Sequence, residues 1–250
     1  MIQTQDFTKG VIWKQLLFFF FPILIGSFFQ QLYNTVDTII VGQAVGTSAL
    51  AAVGSTGNLT NLIVNFYVGL STGASVVIAQ YYGAQNNKKI HQAVHTSYIL
   101  AIVSGILMML FGLFFSYQCL DAIGTPHDIL NDATLYMQLY FLCMIPGAIY
   151  NIGAGILRAV GDSKRPLYYL IVCSIVNVVF DFIFVVIFHR GIAGAAIATV
   201  IAQSVCAILV TIQLMRTNEV YKLTLSKMKF HLPVLKKIIM IGAPAGIQST

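Results

Sequence analysis

Of the eight acidic residues in this 250-residue sequence, only Asp37 and Asp181 stand well inside long apolar stretches. An ionised carboxylate at the centre of a bilayer costs about 2.5–3.5 kcal/mol on insertion scales, so acids at that depth face a protein interior and mark ion or substrate paths. Polar neighbours at helical spacing accompany both. Gln30, Asn34 and Asp37 fall at i, i+4 and i+7, and Ser174, Asn177 and Asp181 at i, i+3 and i+7. Asn58, Asn61 and Asn65 repeat the pattern, and Thr199 and Gln203 lie one helical turn apart. Polar stripes in lipid must face one another or water. Two carboxylates, amides and a hydroxyl at one level would offer hard oxygen ligands to an alkali cation, or a shared site for a proton. Polar pairs that merely hold helices together are the alternative, but amides and hydroxyls would serve for that without the cost of two acids.

The elements that carry these stripes are set by composition. Hydrophobic residues make up 58% of the chain, charged residues 9%, and the mean hydropathy is +0.83. Soluble domains carry about 25% charged residues. The pattern is that of an all-α, polytopic membrane bundle. Runs long enough to cross ~30 Å of hydrocarbon cover residues 13–45, 50–82, 93–117, 135–157, 167–188 and 192–215, which predicts six spans. A seventh run opens after Lys237 and reaches Thr250, as expected of part of a longer protein. The first run is too long for a cleavable signal and leads directly into further spans. The expected division is a six-helix lobe over residues 1–216, a cytoplasmic linker over 217–233, and the start of a seventh helix over 234–250.

Charge sets the expected orientation. With the N-terminus inside, every lysine and arginine except Arg190 falls on the cytoplasmic side, as the positive-inside rule requires. The net charge of +6 then needs lipid headgroups and no nucleic acid. Depth follows from the loops: Asp181 lies eight residues before the His189-Arg190 turn and Thr199 eight after Gly191, so each is roughly 12 Å below the outer end. Asp37 lies about two turns from the outer loop near Gly42. In the linker, Tyr221, Leu223, Leu225, Met228, Phe230 and Leu232 alternate with polar residues, which suits a strip at headgroup level or an ordinary solvated loop.

Other motifs carry less. G-L-S-T-G (residues 69–73) fits the hydrolase pattern G-x-S-x-G, but that pattern works on a strand-to-helix turn with a histidine in reach, and here it lies within a span. Close helix packing explains its glycines. Cys119, Cys143, Cys173 and Cys206 show no metal or disulfide spacing and read as small apolar residues.

Several segments together resemble one family. P-I-L-I-G-S-F-F-Q-Q-L-Y-N-T-V-D-T-I-I-V-G in the first span, then G-T-S-A-L-A-A-V-G, G-A-S-V-V-I-A-Q-Y-Y-G-A, L-R-A-V-G-D-S-K-R-P and G-I-A-G-A-A-I-A-T, are similar to the multidrug and toxic compound extrusion (MATE) family. The resemblance implies twelve spans in two pseudo-symmetric lobes with a substrate cleft between them, this chain being the N-terminal lobe. K-I-I-M-I-G-A-P-A-G after Lys236 echoes K-Q-L-L-F-F-F-F-P-I-L-I-G after Trp13, a weak internal repeat of the kind transporters show. In family members with a cation site in this lobe, the matching positions are Asp37, Asn177, Asp181 and Thr199, which would bind H⁺ or Na⁺. Tyr136 matches a tyrosine near that site, and Pro22 a first-span proline at a helix bend. Gln30, Asn34, Asn58, Asn61, Asn65, Ser174 and Gln203 are expected near the site or along the cavity. No cofactor beyond the coupling ion is expected.

The implied function is ion-coupled antiport in the cell inner membrane, exporting organic, typically cationic and amphiphilic compounds. A lipid-linked precursor flippase of the same superfamily is the alternative; a channel or an intramembrane hydrolase fits less well.

The charge-based topology is directly testable. In a cysteine-free background, single cysteines near Lys88, Lys164 and Lys227 are expected to react with impermeant label only from the cytoplasm, and those near Ser48 and Arg190 only from outside. One inverted position breaks the six-span arrangement.

Overall fold

The computed structural model describes residues 12–44 and 47–248. Eight α-helices follow one another: α1 (Ile12–Ala44), α2 (Thr47–Gly83), α3 (Asn87–Ala122), α4 (His127–Phe141), α5 (Met144–Ala159), α6 (Lys164–Asp181), α7 (Gly191–Arg216) and α8 (Leu232–Gln248). Among the described residues there is no strand. Helices alone answer the demand of hydrocarbon, because each satisfies its backbone hydrogen bonds internally. Five stretches are long and apolar enough to cross a membrane, and the α4–α5 pair makes a sixth span if its two bent halves are counted as one. The protein is a multi-pass membrane protein.

The fourth span differs from the single run expected over residues 135–157. It begins at His127 and breaks at Leu142-Cys143, where α4 and α5 meet at 46°. Pro146 supplies the cause, since it has no N–H to donate and its ring clashes with the carbonyl four residues back, that of Leu142. Leu142 and Cys143 close the first half with tight bonds to Leu139 and Tyr140. Pro146 then sits in the first turn of α5, where an N–H would lack an intrahelical partner anyway. By contrast α1 runs as one helix through Pro22. The outer loop near Gly42 includes two residues, 45 and 46, outside the described set.

At the far end of α6 the chain passes into a π-helical turn over Phe182–Ile187. Phe188 N–H donates to Ile183 O, and His189 takes a positive φ of 50° before Gly191 opens α7. This turn begins at the residue after Asp181.

The linker is neither a headgroup strip nor a solvated loop at its start. Tyr221 and Leu223 are 1% exposed, and Leu223 N–H donates to Leu214 O at 2.8 Å. Burial pushes the Tyr221 phenol above its ordinary pKa. His95 on α3 accepts Thr224 N–H at Nε2 (3.1 Å), and Thr96 Oγ1 accepts His231 N–H. Only Leu225, Phe230 and Leu232 of the alternating set are exposed. Buried backbone needs partners, and the start of α3 and the end of α7 supply them.

The glycines of G-L-S-T-G pack helices. A Cβ added at Gly69 would stand 2.4 Å from the Gly246 backbone, and one at Gly73 2.3 Å from Ile238 O. Two Gly-x-x-x-Gly faces, Gly69/Gly73 on α2 and Gly242/Gly246 on α8, therefore meet backbone to backbone. Ser71 Oγ donates to Asn151 O at 2.6 Å, tying α2 to α5. Its proton is engaged in packing.

Gly73→Val is accordingly expected to separate α8 from α2 and to destabilise the fold by about 1–3 kcal/mol. Melting of the purified protein measures this, and an unchanged Tm would refute the close contact.

Candidate functional site

The two interior acids meet between α1 and α6, where the carboxyl groups of Asp37 and Asp181 interact directly. Asp181 is 0% exposed, and neither of its oxygens accepts a hydrogen bond. Asp37 Oδ1 and Asn177 Oδ1 are also buried without a donor. On the other side, Asn177 Nδ2 donates to Thr199 Oγ1 at 3.4 Å, which joins α6 to α7, and Thr199 donates to Ala195 O at 3.1 Å. Tyr136 on α4 is buried close enough to both acids to feel their charge. The structure thus brings Asp37, Asn177, Asp181, Thr199 and Tyr136 into one cluster.

A buried acceptor without a donor costs free energy. Here four such oxygens, two from Asp181 and one each from Asp37 and Asn177, share a small volume with no cationic side chain hydrogen-bonded to them. An added proton or a small cation would satisfy them. The donor set is all oxygen, which suits sodium over softer metals. Among the described residues, no group of three or more His, Cys, Asp and Glu side chains gathers to hold a metal.

The remaining sequence candidates divide. Ser174 is buried one turn inward of Asn177, and its hydroxyl proton goes to Leu170 O at 2.9 Å. Gln30, Pro22 and Gln203 line a cavity of about 690 Å³ bounded by α1, α2, α5, α6 and α7. Asn34 and Asn61 are exposed on the surface of this lobe and do not line that cavity. Asn65 is half-buried on the α8 side of α2, where its carbonyl approaches Gly246. The side chain of Asn58 lies outside the described residues. From α2 the cavity takes Ser71, Thr72 and Ser75 in place of the asparagines.

Sequence reasoning missed Tyr140, which stands near Asp37. Its signal was present, because Tyr140 follows Tyr136 by one helical turn and the two rings lie 6.1 Å apart. Asn151 and Arg158 of the cavity wall were missed too, because the bend before α5 redirects their helix. All four cysteines are free, and the Cys173 and Cys206 thiols donate across the α6–α7 contact to Ala202 O and Tyr169 O.

The MatE family model matches residues 22–183, well over half of the sequence and all of it from Pro22 through the Asp181 turn. The chain belongs to the MATE family of transporters. It is 28% identical over 251 residues to the probable multidrug resistance protein YoeA of Bacillus subtilis (strain 168), covering 98% of this chain and 54% of that protein. An outward-facing structure of a multidrug resistance MATE transporter superposes with a TM-score of 0.87 at 27% identity, covering 94% of this chain and 52% of the other. An inward-facing structure of such a transporter gives 0.81 at 28% identity, covering 88% and 50%. This MATE chain thus spans about half the length of the relatives it matches, and its fold is that of one lobe.

Asp181→Asn supplies a donor where the native acid has none, and it removes a buried charge. The variant is expected to be more stable by about 1 kcal/mol, read as a higher Tm in sodium-free detergent at alkaline pH. A lower Tm would mean that a structural partner satisfies the carboxylate.

Proposed function

We propose that this chain is the N-terminal lobe of an ion-coupled exporter of organic, typically cationic and amphiphilic compounds, with H⁺ or Na⁺ exchanged at Asp37, Asn177, Asp181 and Thr199. The observation that carries this is the pair of interior acids whose buried oxygens lack donors. Residues 1–216 form the lobe, 217–233 the linker, and 234–250 begin a second lobe. The N-terminus is cytoplasmic in a cell inner membrane, and the second lobe completes the cleft. Membership of a transporter family and the name of the relative in Bacillus subtilis support drug efflux; they do not favour a lipid-precursor flippase.

The mechanism follows from charge. With the site empty, two carboxylates face each other in a low-dielectric setting and repel. A proton shared between them, or a sodium ion held by them with the Asn177 and Thr199 oxygens, removes the repulsion and draws α1 toward α6 and α7. The two states therefore favour different positions of α1 against the bundle, and ligand binding shifts the population between them. Exchange of the ion on one side and of the organic substrate on the other couples their movements. Pro22 leaves one backbone carbonyl of α1 without its usual donor, which makes that helix the natural place to bend.

The test is efflux from liposomes containing the two-lobe transporter, under an imposed pH gradient or an imposed sodium gradient. Asp37→Asn and Asp181→Asn are expected to abolish coupled efflux while substrate binding persists. Thr199→Ala is expected to impair sodium-driven more than proton-driven export, because sodium loses a ligand and a proton needs only a base. Native rates for both Asn variants under both gradients would reduce the acids to helix-packing groups. The chain expressed alone is expected to insert but to confer no resistance, since one lobe cannot form a cleft between two.

A further inference from the structure

Beyond the coupling cluster, the cavity has its own electrostatics. Among the described residues that line it the one charged side chain is Arg158, and no aspartate or glutamate joins it. Arg158 closes α5 and lies at the end of the bundle where the loop over residues 160–163 leads into α6. Its guanidinium forms no ion pair or hydrogen bond among the described residues. Asp162, four residues on, is instead paired with Arg165 at 3.0 Å and also accepts the Arg165 N–H. Arg158 therefore lines a space of mixed polar and apolar wall, with the Tyr150 phenol close enough to feel its charge.

A cation in the last turn of a helix gains about 0.3–1 kcal/mol from the helix dipole. That gain is also available to a side chain extended into water, so it does not explain a guanidinium on a cavity wall. The neighbouring polar groups narrow the choice of ligand. Ser71, Thr72 and Ser75 already donate their hydroxyl protons to the carbonyls of Asn151, Val68 and Gly155. Ser163 is 5% exposed, and its hydroxyl has no partner among the described residues. One planar fork and one free hydroxyl make a donor set without a competing acceptor charge. The rest of the nearby wall, including Phe19, Ile23, Leu167 and Leu170, is apolar.

We propose that this end of the cavity binds the anionic headgroup, phosphate or carboxylate, of an amphiphile, with Arg158 as its bidentate partner, Ser163 as a second donor and the apolar wall holding the alkyl chain. Arg suits the role because its fork matches both groups in plane and stays charged when desolvated. The site does not depend on the ion-coupling reading, since Asp37 and Asp181 lie outside this wall. Two sources share the chemistry, an anionic phospholipid of the surrounding membrane and a free anionic amphiphile.

The experiment uses the protein in nanodiscs of pure phosphatidylcholine, with calorimetric titration of dodecyl phosphate and of dodecyltrimethylammonium as the cationic counterpart. Wild type is expected to bind the phosphate at least about tenfold more tightly than the ammonium, and Arg158→Gln to lose about tenfold in phosphate affinity alone. Arg158→Lys keeps the charge without the fork and is expected to lose less. Lys164→Gln, which removes an exposed charge at the same end, is expected to change nothing. Phosphatidylglycerol added to the nanodiscs distinguishes the sources: competition with dodecyl phosphate in wild type supports a lipid headgroup, and binding undiminished by it supports a free anion. Equal affinity for anion and cation in wild type overturns the proposal without any variant. So does unaltered phosphate binding by folded Arg158→Gln, or an equal loss in Lys164→Gln.

Discussion

Hydrocarbon offers no hydrogen-bond partner, and this constraint governs the molecule from backbone to site. It restricts the backbone to helices or closed barrels, and it requires most buried side-chain donors to find acceptors inside the bundle. Ser174 on α6 and Thr199 on α7 return their protons to carbonyls four residues back. Ser71 and Ser75 send theirs across to α5. Close approach makes the second route available, because a Cβ at Gly155 would fall 2.5 Å from Ser71 Oγ. Small residues and hydroxyls thus act together, the first bringing backbones near and the second bonding them.

Against that background the exceptions stand out. Of the eight buried side-chain oxygens without a hydrogen-bond partner among the described residues, four sit on Asp37, Asn177 and Asp181, where α1, α6 and α7 meet, with the Gln203 oxygen one turn from Thr199. The π-helical turn beginning after Asp181 interrupts the regular bonding of α6 at the same level. Turns of this kind are frequent at functional sites. A site that exchanges an ion must remain incompletely satisfied by the protein itself, or the ion would have nothing to add. The acids consequently trade stability for exchange.

The cavity extends the same logic to the opposite end of the lobe. The carboxylates of Asp37 and Asp181 lie outside its wall and the guanidinium of Arg158 belongs to it, so the lobe holds two separate charge environments. The bend between α4 and α5 supports both, since α4 carries Tyr136 to the acids and α5 carries Asn151 and Arg158 to the cavity. One proline beside the break therefore positions side chains of both kinds.

The sequence by itself determined the all-helical membrane class and a six-span reading, and it placed Asp37, Asp181 and Thr199 at similar depth on polar stripes, while the set of Asp37, Asn177, Asp181 and Thr199 came from the resemblance to the family. Class, spans and depth rest on local quantities: apolar run length, residue spacing of about 100° per step, and distance from a turn. Only the tertiary structure decided which polar residues turn inward. Asp181 and Asn177 are buried, whereas Asn34 and Asn61 lie exposed on the lobe, because burial depends on which neighbouring helix covers a given angle. It also decided that Tyr221 and Leu223 belong to the core, and that Arg158, one cation among many at the basic end, faces a cavity while Arg165 takes the nearby aspartate. Those outcomes depend on contacts between residues distant in sequence, which periodicity along one helix does not encode.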